Sequence, residues 1–303
     1  MPMTQKIVKD FKKNKFKYLL IIPVLAYFII FHYKPMYGIV IAFQRYSIVK
    51  GIADSPWVGL LHFKRFFSDY YFWRLMKNTL SISVLSLLFS FPAPIVVALM
   101  LNEVKVSWFK RTVQTVSYLP HFISIVVVCG LLTTFSSADG LINTVIEFFG
   151  GERSSLLSRS EMFYPLYIGS GIWQSVGWDS IIYLATLAGI DQEQYEAARI
   201  DGANRFQQII HITLPGIVPT ISMLLILRIG SLLSVGSEKI LLLYSEKVYD
   251  VADVISTFVY RRGVIGEDYS YSTAVGLFNS LANLLLLFIA NKVSKKAGQS
   301  GLF

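Results

Sequence analysis

A chain of 303 residues with 54% hydrophobic residues and a mean hydropathy of +0.54 is too apolar for an ordinary soluble domain. Its net charge of +9 does not argue for nucleic acid, because the basic residues gather beside apolar runs, where they set membrane topology. The lone Cys129 excludes a disulfide framework.

Residues 1–17 form a basic tail carrying Lys6, Lys9, Lys12, Lys13, Lys15 and Lys17, expected as a helix along the inner membrane surface. An apolar run follows, but His32-Tyr33-Lys34-Pro35 stands where a signal peptide would have small residues, so an uncleaved first span is expected. A helical span needs about 20 mostly apolar residues, since the bilayer offers backbone polar groups no water. Six segments qualify: Tyr18–Tyr33, Thr79–Leu101, Leu119–Phe135, Phe163–Ile190, Ile217–Val235 and Thr273–Ala290. None alternates as a β-barrel strand does. The expected fold is all-α, a polytopic helical membrane protein with about six transmembrane helices.

The first span should end near Pro35, leaving Pro35–Lys77 outside with turns at Gly51, Pro56 and Gly59. Within that stretch Phe63, Phe66, Phe67, Tyr70, Tyr71 and Trp73 alternate with charges and suggest an amphipathic helix at the outer interface. Its basic residues, Lys34, Arg45, Lys50, Lys64, Arg65, Arg74 and Lys77, run against the usual bias of short outer loops. Pro92 and Pro94 predict a kink or unwound turn in the second span. Asn102–Ser117, with Lys105, Lys110 and Arg111, reads as a short cytoplasmic connection, and Tyr118-Leu119-Pro120-His121 as the opening of the third span.

Ser136–Met162 reads as an outer loop. The fourth span holds Gly169, Ser170, Gly171, Trp173, Gln174, Gly177, Trp178, Asp179 and Tyr183, and the fifth holds Arg228, Gly230, Ser231 and Ser234. Lys239–Ser272 is a further outer segment, and Asn279 and Asn283 share one side of the last span, which Lys292, Lys295 and Lys296 follow.

Between the fourth and fifth spans lies a polar stretch, DQEQYEAARIDGANRFQQIIHITLP, residues 191–215. Asp191 is placed to cap a first short helix, with Gln194 in the capping-box position. Gly202 is placed to stop it in the left-handed conformation. A second short helix carries Phe206, Ile209, Ile210 and Leu214 as an apolar stripe, and Pro215, Gly216 and Pro219 mark re-entry into the membrane.

The chain has no phosphate-binding glycine loop, no zinc-protease helix and no nucleophile elbow, so no catalytic residue or metal ligand is expected. Polar groups inside the bilayer are costly and are the candidates for a substrate pathway. Those are Trp173, Gln174, Trp178, Asp179, Tyr183, Arg228, Asn279 and Asn283: flat apolar faces for sugar rings, amides and charges for hydroxyl groups. Asp179 and Arg228 are also placed to pair with each other, and ordinary helix packing competes with ligand contact at each aromatic ring.

The order Glu196-Ala197-Ala198, Asp201-Gly202-Ala203, Phe206, Ile209 and Leu214-Pro215 resembles the coupling motif of bacterial ABC importer permeases. The runs QTVSYLPHFIS, GSGIWQSVGWDSIIYLATLAGID and DVISTFVYRRGVIGEDYSYSTAVGLFNS look like one subgroup, the aldouronate and complex-polysaccharide permeases. The resemblance implies a type I ABC importer transmembrane domain in a bacterial plasma membrane, forming half of a carbohydrate pore. It implies ATPase docking through Glu196, Ala197, Ala198, Asp201, Gly202, Ala203 and Phe206. The implied partners are a second homologous permease, two ATP-binding subunits carrying the ATP and magnesium, an extracellular or periplasmic solute-binding protein, and membrane lipid, with no nucleic acid. No cofactor is expected in this chain. The expected organisation is a cytoplasmic tail over 1–17, the first span and outer amphipathic segment over 18–78, a core transmembrane domain over 79–290 and a cytoplasmic tail over 291–303. Three rivals stand beside it: an ion-coupled secondary transporter using Asp179 and Arg228, an ABC importer for a solute other than sugar, and a non-transporting receptor or scaffold.

Overall fold

The computed structural model describes residues 13–299 and 301–302. Lys6, Lys9 and Lys12, and with them most of the expected basic tail, lie outside the described residues. The chain divides into two units, one running to Phe67 and including Arg262–Leu277, the other comprising Ser68–Arg261 and the remainder from Phe278.

In the first unit, helix α1 covers Lys15–Phe43, well past the expected end at Pro35. The reason is a π turn over Ile29–Tyr33, after which α-helical geometry restarts at Lys34. Pro35 therefore sits in a first turn, where its missing N–H costs least. The expected turns are present: Gly51 and Gly59 take positive φ, 68° and 58°, which side chains avoid. Helix α2, Leu61–Phe67, follows, and the His62 ring meets the Gln44 carbonyl at 3.0 Å. Arg65 pairs with Asp268 at 2.8 Å and lies 4.4 Å over the Tyr271 ring. That pairing offsets one of the basic charges that the topology rule disfavours in this stretch.

The second unit opens with a turn rather than a continued amphipathic helix. Asp69 accepts the Tyr71 N–H at 2.9 Å, diverting a backbone donor and starting a new helix. The expected outer-interface helix through Trp73 is therefore two pieces. Helix α3 is Phe72–Phe89 and α4 is Pro92–Glu103, broken at Ser90–Phe91 where the prolines require it. Asn102–Ser117 is not a plain connection: all but the last residue of α5, Ser107–Tyr118, lies within it. A single 3-10 turn, Leu119–Phe122, then joins α5 to α6, Ile125–Phe135, across a bend of 98°. Pro120 lies in that turn and Ser124 caps α6, so the apolar helix starts later than Tyr118.

The expected loop 136–162 contains α7, Leu141–Phe148, closed by buried Asn143, whose amide donates to the Ser137 and Ser154 carbonyls at 2.6 and 2.7 Å. Helix α8, Ser160–Leu187, packs against α3, α4 and α5. Gly177 makes the α5 contact possible, because a Cβ there would overlap the Ser117 carbonyl. Helix α9 is Gln192–Ile200, and α10 runs over Arg205–Gly230 and also packs on α8. Helices α11, Ser237–Leu243, and α12, Ile255–Tyr260, precede the last helix, α13, Tyr269–Lys296.

Among the described residues, four helical runs are long and apolar enough to cross a membrane: Lys15–Phe43, Phe72–Glu103, Arg205–Gly230 and Tyr269–Lys296. The bent pair α5–α6 makes a fifth if counted as one span. Helix α8, at 28 residues, has the length of the expected fourth span but is too polar to qualify on composition. One core in this unit joins Ile82, Cys129, Phe163, Ile240 and Val254, and another joins Ala98, Tyr183, Leu187 and Ile217. Asp253, fully buried, is gripped by Arg261 at 2.7 and 2.8 Å, by Thr257 at 2.8 Å and by Arg74 at 3.2 Å. Arg74, a second charge disfavoured by topology, is thereby offset.

Candidate coupling segment and translocation cavity

Helix α9 begins because the Asp191 carboxylate accepts the Glu193 N–H at 3.0 Å. Gln194 does not complete a capping box. The box forms one helix later, where Asn204 and Gln207 exchange side-chain and backbone bonds at 2.8 and 2.9 Å. Between them Gly202 takes φ +78° and ends α9, and the Ala203 N–H returns to the Ala198 carbonyl at 2.8 Å.

The expected second short helix is the start of α10. Arg205–Gln208 passes through a π turn, Ile209–Thr213, directly into the apolar run from Leu214. Pro215 does not break it, since the π turn lets regular geometry restart just before the proline. Tyr195 meets Thr213 at 3.0 Å and Gln208 donates to the Ala203 carbonyl at 2.9 Å, so α9 is tied to the helix it precedes.

The segment is exposed. Ile200 is 86% and Phe206 69% accessible, large values for apolar side chains. Glu196, Ala197, Asp201 and Gly202 are exposed, and Ala198 and Ala203 half-buried. Ala198, Asp201, Gly202 and Ala203 line one dent of about 300 Å³ with Gln207 and His211. Glu196, Ala197 and Phe206 lie outside its lining. Ile200, exposed at the end of α9, is not among the expected coupling residues.

A larger cavity, about 780 Å³, opens among α4, α8 and α10. Four of the eight expected pathway residues line it: Trp178, Asp179, Tyr183 and Arg228. The break between α3 and α4 contributes Ser90 and Phe91, and Ser175 and Ser231 add hydroxyl groups. The prolines at that break signal a kink in the sequence but carry no signal of a cavity. Trp178 is held in place by residues from the α5–α6 bend, stacked on His121 with centroids 4.5 Å apart and edge-on to Phe122 at 5.4 Å.

The other four expected residues do different work. Gln174 donates to the Ile123 carbonyl at 3.1 Å, satisfying an oxygen freed by the bend. Asn283 accepts the Leu233 N–H and donates to the Ser234 hydroxyl, both at 2.9 Å, pinning the end of α10 to α13. The Asn279 oxygen is buried with no partner among the described residues, and Trp173 is exposed outside the cavity lining. Asp179 and Arg228 do not form the expected ion pair. Both line the open cavity, and among the described residues neither carries any ion pair.

Broken apolar helices around a polar-lined cavity, with an exposed helical knob between two runs, define a multi-pass membrane permease. Residues 90–298 match the family described as binding-protein-dependent transport system inner membrane component, and the chain belongs to that family. It is similar to Protein LplB of Bacillus subtilis (strain 168), 49% identical over 96% of this chain and 92% of that one. It is also similar to the polygalacturonan/rhamnogalacturonan transport system permease protein YteP of the same organism, 47% identical over 96% and 91%. A crystal structure of a bacterial alginate ABC transporter in complex with an alginate pentasaccharide-bound periplasmic protein superposes with a TM-score of 0.90, at 45% identity, covering 97% of this chain and 99% of that one. The chain is thus an inner-membrane component of a binding-protein-dependent transport system. An ion-coupled secondary transporter is excluded by that membership.

Proposed function

We propose that this chain is one of two homologous permease subunits of an ATP-driven importer of complex or acidic oligosaccharides. Two partner ATPase subunits bind and hydrolyse ATP with magnesium, and a solute-binding protein outside the membrane delivers the sugar. Both chain termini and the segment around Glu196 lie on the cytoplasmic side. The observation that carries the reading is the exposed segment Asp191–Gln208, whose apolar Ile200 and Phe206 stand free on a helical knob joined without a break to a membrane run. Apolar side chains displayed this way suit a cleft on a partner protein. Because α10 continues into the membrane, movement of the knob is carried directly to the helix that holds Arg228. The likeness to a polygalacturonan permease and to an alginate transporter supports the acidic carbohydrate.

The test is copurification in mild detergent followed by reconstitution. Recovery of a second permease and an ATPase, and ATP-dependent uptake of oligogalacturonate when the cognate binding protein is added, is the expected result. A chain recovered alone and stable, or a complex importing only a solute that is not a carbohydrate, would overturn the reading.

A further inference from the structure

A guanidinium in a membrane run is costly, and such groups normally find a carboxylate. Arg228 lies on α10, within the run Arg205–Gly230, and among the described residues its guanidinium makes no hydrogen bond or ion pair. It borders two hollows at once, the cavity of about 780 Å³ and a smaller one of about 120 Å³. The groups around it are hydroxyls and apolar surfaces: Ser175 and Ser231 on one side, Ser83, Ser86 and Tyr167 on the other. One carboxylate, Asp179, lines the larger cavity and leaves Arg228 unpaired. Two opposite charges in one cavity, neither spent on the other, leave a fork of donors and an acceptor open to a ligand.

We infer that Arg228 is the residue that recognises the carboxylate of a uronate-containing oligosaccharide, while Asp179 accepts from the sugar hydroxyl groups. The planar fork of arginine matches a carboxylate with two parallel bonds, a geometry lysine does not reproduce. A neutral sugar would leave the guanidinium without a charged partner, which is a source of discrimination. Trp178, stacked on His121, supplies an aromatic surface in the same cavity for a sugar ring. The inference rests on the carbohydrate reading above and makes it specific to acidic rings.

The experiment measures binding to the importer complex, purified with its partner subunits in lipid nanodiscs and without the solute-binding protein. The probes are pentagalacturonate and its neutral methyl ester. Wild type is expected to favour the acid. Arg228→Gln is expected to weaken acid binding by about tenfold or more while ester binding stays within about twofold, and Arg228→Lys to fall between. Equal loss of both probes, or no loss of the acid, would overturn the inference. So would a complex that Arg228→Gln prevents from assembling and Arg228→Lys restores, since that assigns the charge to a partner subunit. Failure of the broader reading shows separately, as a wild-type complex with no ATP-driven uptake of any oligosaccharide.

Discussion

The indole of Trp178 lies flat on the imidazole of His121, with ring planes 2° from parallel and centroids 4.5 Å apart. This contact fastens the middle of α8 to the turn where the chain bends by 98° between α5 and α6. The bend frees backbone groups; the Gln174 amide replaces a helical bond at the Ile123 carbonyl, and the stack anchors the turn against α8. His121→Ala should cost about 0.5–1.5 kcal/mol, the usual worth of an aromatic pair, and lower uptake while leaving subunit assembly intact. Thermal unfolding in detergent and uptake by the reconstituted complex check both parts.

Gly202 holds φ +78° at the hinge between α9 and α10. Placing a Cβ there strains the turn by about 1–2 kcal/mol, which shifts the knob rather than unfolding the chain. Gly202→Asp should leave membrane insertion unchanged and separate ATP hydrolysis from transport. ATPase and uptake rates measured on one preparation decide this; uptake at the wild-type rate would show that the hinge carries no coupling.

Ile200 and Phe206 should matter for docking rather than for folding, since both are exposed. Replacing either by Asp should reduce recovery of the ATPase subunits by about tenfold or more, the scale of an interface anchor. The melting temperature of the isolated permease should not change. Quantifying copurified ATPase per permease tests it.

The Asp253 carboxylate is buried completely, and its hydrogen bonds to Arg261 hold that guanidinium in its charged form, raising its pKa above the ordinary arginine value. Asp253→Ala would leave the half-buried Arg261 and Arg74 without their carboxylate partner. The expected loss is about 3–5 kcal/mol, the cost of breaking a buried pair from one side. Asp253→Leu combined with Arg261→Met should recover much of it, and comparing the melting temperatures of single and double variants shows whether it does.

Lys239 donates to the Tyr167 carbonyl at 2.8 Å and is only 9% exposed. Burial pushes its ammonium down to about 8 from the usual 10.5. Between those two values the folded chain holds fewer protons than the unfolded chain, so stability should rise with pH across that window and not below it. Lys239→Met should remove the rise. Melting temperatures of both proteins between about pH 7 and pH 10 give the two slopes.

Much of the arrangement could be read from local pattern alone. Four of the apolar runs, the break at Pro92 and Pro94, the left-handed turn at Gly202 and the cap at Asp191 depend on residues within a few positions of one another, and these are present among the described residues. The helix inside 136–162 and the continuity of α10 were not legible. Asn143 reaches carbonyls on both sides of its helix, and the π turns at Ile29–Tyr33 and Ile209–Thr213 carry no composition signal while cancelling the stop that Pro35 and Pro215 announce.

The site divides along the same line. The sequence by itself determined the class of protein and the local shape of the segment 191–215, because hydropathy and an ordered motif are properties of contiguous residues. Only the tertiary structure decided which polar residues share the cavity, because that depends on the rotation of three helices about their axes. It separated Trp178, Asp179, Tyr183 and Arg228 from Gln174 and Asn283, whose amides are consumed by backbone groups. It also dissolved the expected pair: Asp179 and Arg228 line one open volume, and neither holds the other.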